Sequence, residues 1–397
     1  MIRFESLSAR EWPDPMTTRP HILPIYATSS YDFEDIEQGI RIFSGDEIGH
    51  TYSRYGNPTT EAVASKIAAM ETYGSALSAT AVMTNSGMSA IHVLVAGLLK
   101  SGDKMLTQPN IYGGTTELFR QMAASWGIVI VYGNLSNSDE VDALLRADKS
   151  IKLVYLETPA NPTLACIDIE ALARVVSSHD RWSAIDNTFA TPYLQQPLLL
   201  GVDFVIHSTT KFLNGHGNSI AGVVIGKDAD LFKKTIWNTM KLTGANCSPF
   251  EAWLVYQGMK TLPLRMDKHS SNAQLISTTL SNHPNVSRVN YPGLESHPDH
   301  LVAKKQMRAF GGMMSFELNG GLDTAIQAMN KMKFCSLTPT LGDVDTLVLH
   351  PASSSHLKVD PEVRRKAGIS DGLIRVSVGI EDPQDILDDL LQAIELT

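Results

Sequence analysis

From about residue 61 the sequence alternates amphipathic stretches of helical period with short apolar runs, and this rhythm restricts the fold more than any other feature of the chain. A helix-like stretch at 117–126 leads into the run Ile128–Tyr132. The runs Lys152–Glu157, Ser183–Asp186 and Asp203–His207 read as buried strands, with helix-like Ile169–Ser178 between the first two. Strands joined by helices in this way wind into a mostly parallel sheet. At 397 residues the chain exceeds the ~250–300 that one hydrophobic core usually supports, so a second domain is required. After about residue 250 the rhythm changes. A helical stretch through 251–280 precedes apolar runs at 312–318, 347–350 and 373–379, and Pro383–Leu396 closes as a helix with an acidic first turn. The reading is an α/β protein in three parts: an extended arm over residues 1–60, with Pro13, Pro15, Pro20, Pro24 and Pro58, that reaches a neighbouring subunit; a large, mostly parallel sheet domain over 61–250; and a smaller α+β domain over 251–397.

Composition removes several classes of function. With 43% hydrophobic and 19% charged residues the chain is an ordinary folded protein. Thirty-three Lys plus Arg against 42 Asp plus Glu leave a formal charge of −9, a poor surface for a phosphate backbone, so no nucleic-acid partner is expected. Cys166, Cys247 and Cys335 are few, odd in number and far apart, which suits a reducing compartment better than a disulfide framework or a cysteine zinc site. Met1–Ser6 lacks the apolar core of a signal peptide, and no run approaches the ~18 apolar residues that cross a bilayer; a cytoplasmic location with no membrane partner is expected.

In an open parallel sheet, ligands sit beyond the carboxyl ends of the strands, so the polar residues that follow apolar runs carry the chemistry. Thr84-Asn-Ser86-Gly87-Met88-Ser89 leads into a helix-like Ala90–Leu99, where free N–H groups would hold an anion; alone, a Ser-Gly helix start is more often only a cap. Ile185-Asp186-Asn187-Thr188 puts an acid at the end of a buried strand, where it wants a cationic partner or serves as a capping Asp. After the strand Asp203–His207, Ser208-Thr-Thr-Lys211 puts a lysine among hydroxyls, ahead of the Gly-rich turn Gly215-His216-Gly217. Desolvation there favours a neutral, nucleophilic amine, and the surrounding residue types suit a Schiff base with pyridoxal phosphate (PLP).

These segments together resemble the PLP-dependent Cys/Met-metabolism family, which contains cystathionine γ-synthases, cystathionine and methionine γ-lyases and O-acylhomoserine sulfhydrylases. The resemblance runs from Pro24-Ile-Tyr26 through Tyr52-Ser-Arg54-Tyr-Gly-Asn-Pro58-Thr59 to Arg375–Asp382, and Ser208-Thr-Thr-Lys211 is its most specific segment. It implies an aspartate-aminotransferase-like PLP-dependent transferase fold with pyridoxal 5′-phosphate as cofactor. It implies Lys211 and Tyr112 as catalytic residues, the first bonding the cofactor and the second stacked on its ring. Asp186 would pair with the ring nitrogen, while Gly87, Met88, Ser208 and Thr210 hold the phosphate and Thr188 completes the cofactor-binding set. Tyr52 and Arg54 would reach that phosphate from a neighbouring subunit, making a homodimer the minimal unit and a homotetramer the expected assembly. Asn161, Thr340 and Arg375 would bind an amino-acid substrate, Arg375 by its carboxylate. Singly, Tyr112, Arg375 and Arg54 read as a surface aromatic, a strand-face ion pair and a solvated residue; their joint occurrence in order carries the PLP reading. His207 reads as a satisfied strand residue and His216 lacks a second ligand at metal spacing, so no metal is expected.

Within the family, cystathionine-handling members usually carry a glutamate where Pro339 stands in Leu337-Thr-Pro339-Thr340-Leu341-Gly342-Asp343. Methionine γ-lyases carry a cysteine where Gly114 stands and a Lys-Asp pair where Lys241-Leu242 stands. In the other direction, Leu341-Gly-Asp343 and His350–His356 look like the methionine γ-lyase and sulfhydrylase branches. The expected reaction is γ-replacement, making homocysteine or a thioether from O-acylhomoserine and sulfide or thiol, with a methionine- or cystathionine-γ-lyase type of C–S cleavage as the alternative.

Overall fold

Two sheets organise the chain in the computed structural model, which describes residues 2–10, 20–355, 357, 361–366 and 368–395; residues 11–19 of the arm and His356 lie outside the described residues. The larger sheet contains β1 (Thr80–Thr84), β2 (Lys104–Thr107), β3 (Val129–Tyr132), β4 (Ile151–Glu157), β5 (Trp182–Asp186), β6 (Phe204–His207) and β7 (Gly222–Gly226), in the order β1-β7-β6-β5-β4-β2-β3. From β3 to β6 every pairing is parallel, while β7 runs antiparallel between β6 and β1.

Helices cover both faces, which is why the central strands read as continuous apolar runs rather than as alternation. Within β4, Val154 and Leu156 enter one core with Ile185 and Val205, while Leu153 and Tyr155 enter the opposite core with Ala184 and Ile206. Helix Pro58–Glu71 closes the first core with Val63, Ile67 and Met70; helix Gly87–Leu98 closes the second with Ile91, Leu94 and Val95. Each of these side chains, fully removed from water, contributes about 1.5–3 kcal/mol before entropy is counted. Register then brings Glu157 opposite Asp186 and Asp186 opposite Ile206, so the ends of β4, β5 and β6 open at one edge.

The second sheet contains β8 (Val286–Asn290), β9 (Met313–Leu318), β10 (Ser336–Leu337), β11 (Leu347–Leu349) and β12 (Leu373–Ser377), in the order β10-β11-β12-β9-β8. Its core holds Met314, Phe316, Ile374 and Val376 with Ile386 and Leu390 of the closing helix Pro383–Glu395. Helix Leu262–Leu280 joins the two cores, giving Met266 to the first and Ala273, Ile276 and Leu280 to the second.

Several elements differ from expectation. The arm is not simply extended: it contains helices Phe4–Ala9 and Ile36–Ser44, and Phe4 and Leu7 are buried in the large core beside Tyr193. The stretch 251–280 is two helices, Pro249–Met259 and Leu262–Leu280, the second with Pro263 in its first turn. The helix expected at Ala90 starts at Gly87, and the one expected at 117 starts at Gly113. Strand β3 lies at the sheet edge and is only partly covered. Strands β7, β8 and β10 gave no clear signal: β7 begins and ends in glycine, β8 is mostly solvent-facing, and β10 has two residues.

Candidate active site

At the open edge of the large sheet, a cavity of about 280 Å³ lies between the start of helix Gly87–Leu98, the ends of β4, β5 and β6, and Arg375 from β12. Gly87, Met88, Tyr112, Asn161, Asp186, Thr188, Ser208, Thr210, Lys211 and Arg375 all line it. Residues spread over almost 290 positions of sequence are thus brought together by the parallel register and by one strand of the smaller sheet.

Lys211 stands just past β6, and its Nζ donates to the hydroxyl of Thr340 at 3.0 Å. Burial, followed by the nearby Arg375 cation, pulls its ammonium below the ordinary lysine pKa, with Asp343 acting the other way. The loop opposite presses on the lysine's own backbone: Gly342 has φ +82°, and a Cβ there would lie 2.6 Å from Phe212 N and 3.2 Å from Lys211 Cα. Behind the lysine, buried Arg265 donates to the carbonyls of Phe212 at 2.7 Å and Gly258 at 2.9 Å, pinning the turn.

Asp186 ends β5 and accepts from the backbone N–H of Thr188 at 3.0 Å, while Thr188's hydroxyl accepts from Ser208 N at 2.9 Å. Burial raises the Asp186 pKa against the pull of those Thr188 bonds and of His207, so a cation placed beside it would be strongly held. Arg375 is 4% exposed. It donates to Thr340 O at 2.9 Å and, at 3.4 Å, to Asn161 Oδ1; burial lowers its pKa to about 10, and its Nε finds no partner among the described residues. A buried guanidinium whose hydrogen bonds go to neutral groups is built to receive an anion.

The remaining wall is the helix start. Ser86 caps it, accepting from Ser89 N at 3.1 Å, which leaves the first amides of the helix open toward the cavity's anion end. Only glycine fits at 87, since a Cβ there would meet Ser208 Cβ at 2.6 Å. Helix dipole, small residues and hydroxyls make a cradle of the kind a phosphate needs. The Thr210 hydroxyl is at present engaged with Ala221, accepting from its N–H at 3.1 Å and donating to its carbonyl at 3.2 Å. Tyr112 is the residue before helix Gly113–Trp126 and remains 44% exposed over the cavity. Gly114 makes room for it, because a Cβ at 114 would lie 2.6 Å from the Tyr112 ring.

Tyr52 and Arg54, expected to serve a neighbouring subunit, lie away from their own chain's cavity. The Arg54 guanidinium stacks over Tyr55 and Tyr52, 4.8 and 5.6 Å from the ring centroids, donates to Lys241 O at 2.5 Å, and lines a separate pocket of about 320 Å³. Within one chain, neither Tyr52 nor Arg54 lines the Lys211 cavity. Conversely, Glu157 lines the cavity and was passed over in the sequence, although it ends a buried strand just as Asp186 does. Among the described residues no cluster of three or more His, Cys, Asp or Glu is arranged to hold a metal ion, and no helix is long and apolar enough to cross a membrane.

The whole chain has relatives. The model of the family "Cys/Met metabolism PLP-dependent enzyme" matches residues 6–395. An L-methionine gamma-lyase of Fusobacterium nucleatum subsp. polymorphum is 46% identical over 374 residues, 94% of this chain and 93% of that protein. An O-succinylhomoserine sulfhydrylase of Pseudomonas aeruginosa is 39% identical over 391 residues, 98% of this chain and 95% of that one. Among solved structures, a putative O-acetylhomoserine (thiol)-lyase from Campylobacter jejuni, crystallised with a pyridoxyl-lysine phosphate, superposes with a TM-score of 0.92 at 31% identity, covering 99% of this chain and all of its own. Because the match runs through both sheets and is not confined to the cavity, the chain belongs to the Cys/Met metabolism family of PLP-dependent enzymes, and pyridoxal phosphate is its cofactor.

Proposed function

We propose that this enzyme acts at the γ-carbon of an amino acid with an uncharged tail, and that its reaction is γ-replacement on an O-acylhomoserine with sulfide or a small thiol. The observation that carries the substrate class is the stretch of cavity lining formed by Pro339 and Leu341, which itself offers no carboxylate to a second ammonium. That argues against cystathionine. Gly114, which leaves the Tyr112 ring without a thiol beside it, favours the ester substrate over methionine. The 46% identity to a methionine gamma-lyase favours C–S cleavage as the second reading.

Bound pyridoxal phosphate supplies an electron sink that stabilises negative charge at the substrate's Cα. The helix start at Gly87 and Met88, with Ser208 and Thr210, would hold its phosphate; Asp186 would hold its ring nitrogen, and Tyr112 would cover its face. Arg375 orients the substrate carboxylate, with Asn161 and Thr340 keeping the guanidinium in place. Lys211, once free as a neutral amine, takes the proton from Cα and then moves protons at Cβ, so that the γ-substituent can depart as an anion. The test is to incubate the enzyme with O-acetylhomoserine, O-succinylhomoserine and methionine, with and without sulfide. Homocysteine formed from an ester with higher kcat/KM than methionine is cleaved is the expected result; the reverse order, with methanethiol, ammonia and 2-oxobutyrate as products, would replace the lead reading by the second.

The proposed assembly is a homodimer or a dimer of dimers in the cytoplasm, in keeping with three free, buried cysteines. Support comes from the arm helix Ile36–Ser44, which leaves Ile36, Ile40 and Phe43 on one face, each more than 60% exposed, a surface suited to a second copy. Arg54→Ala and Lys211→Ala subunits, each impaired alone, should restore activity when mixed under exchange. Half of the dimers would then be hybrids with one complete site of two, giving roughly a quarter of wild-type activity. No recovery in verified hybrids would remove the shared-site assignment of Tyr52 and Arg54.

A further inference from the structure

Glu157 is 5% exposed at the end of β4, and its two carboxyl oxygens serve two different loops. Oε2 accepts from the backbone N–H of Tyr112 at 2.8 Å, and Oε1 accepts from the backbone N–H of Asn161 at 2.9 Å. Neither N–H has an alternative in regular structure: Tyr112 precedes the first turn of its helix, and Asn161 lies in the segment between Pro159 and Pro162. The main chain of Glu157 is fixed in turn by buried Gln108, whose amide donates to Glu157 O at 2.9 Å and accepts from Glu157 N at 3.3 Å. From Asn161 the connection continues, because its Oδ1 accepts from Arg375 at 3.4 Å. A single carboxyl group therefore ties the wall that carries the Tyr112 ring to the wall that carries Arg375.

We propose that Glu157 is a positioning residue of this site, setting Tyr112 and the Asn161–Arg375 pair in register with each other across the cavity. It rests on the roles given to those residues above, and it adds a group that touches neither the ring nor the substrate carboxylate in that reading. Charge supports the geometry. Burial first, and Asp186 opposite it second, raise the Glu157 pKa to about 8 in spite of the two N–H donors. Burial raises the pKa of Asp186 as well, so a carboxylate at either position needs donors or a cation beside it, and for Glu157 those donors are the N–H groups of Tyr112 and Asn161.

Glu157→Gln tests this, since an amide keeps the size and one acceptor but turns the other into a donor facing an N–H. In the full-length holoenzyme, backbone hydrogen exchange in segments 110–116 and 158–166 should accelerate together by about 10- to 100-fold, while exchange in the core of β4 stays unchanged. The circular dichroism of the bound cofactor should change. KM for the amino acid should rise, with kcat/KM falling about 10- to 100-fold. If melting shows that the Gln variant does not fold, Glu157→Asp, which retracts the carboxyl by one methylene, is read by the same measurements. The proposal is overturned if exchange and KM stay at wild-type values, if only one segment loosens, or if kcat falls while exchange is unchanged, which would make Glu157 a proton carrier. The exchange readout needs no substrate. Coupled loosening in an enzyme inactive on esters and methionine alike would therefore retain the clamp and remove the proposed reaction.

Discussion

Lys211→Ala is expected to lower turnover by on the order of 10⁴-fold while leaving the fold intact, because it removes the group assigned to both cofactor attachment and proton transfer. Among the described residues the side-chain bond lost is the 3.0 Å contact to Thr340, so the melting temperature of the cofactor-free protein should move by no more than a few degrees. Borohydride treatment should fix pyridoxal phosphate to the wild-type chain at residue 211 and leave no covalent cofactor on the variant. Lys211→Arg should fail as completely: a guanidinium keeps its proton, and the neutral amine that burial favours at this position cannot form. Turnover and a borohydride-stable adduct that both survive in Lys211→Ala would sink the assignment.

Arg375→Ala should weaken every amino-acid substrate alike, ester or thioether. The structure offers a buried cation whose Nε is without a partner among the described residues and whose existing bonds go to neutral acceptors. Losing its charged bonds to a carboxylate should cost about 1.5–3 kcal/mol, or roughly 10- to 150-fold in kcat/KM, mostly through KM. Arg375→Lys should recover part of the loss, as a point charge without the planar fork. A second effect has a definite sign. The Arg375 cation lowers the Lys211 pKa, so its removal raises that pKa, and the pH needed for cofactor attachment should move upward. Equal KM values for wild type and Arg375→Ala, or an attachment pH that moves down, would contradict this geometry.

Much of this was present in local sequence. The strands β4, β5 and β6 were legible because both of their faces are buried, which forces runs such as Leu153-Val-Tyr-Leu156 to be apolar throughout. The candidate site was legible for the complementary reason: in such a sheet the first polar residue after a run is the first to leave the core, and Asp186, Ser208 and Lys211 stand at those exits and line one cavity. Glycine at 87 was legible as a small-residue helix start, although its strict requirement follows from Ser208 packed against it.

Other features have no local signature. The arm reads as extended from its prolines, yet Phe4 and Leu7 belong to the large core, because burial against Tyr193 outweighs the weak propensity of so short a helix. The antiparallel β7 carries glycines at both ends, and its place between β1 and β6 is set by pairing partners far away in sequence. Glu157 satisfies the same strand-end rule as Asp186. Its two hydrogen bonds become visible only when the segments 110–114 and 158–162 are folded against it. The sequence by itself thus determined the sheet class, through periodicity and the residue types at strand exits, and the family with its cofactor, through the resemblance carried by motifs such as Ser208-Thr-Thr-Lys211. Only the tertiary structure decided which walls of the cavity are tied together and that Arg54 packs over Tyr55 against the Lys241 carbonyl, because contacts between loops depend on register and on close packing that no single segment encodes.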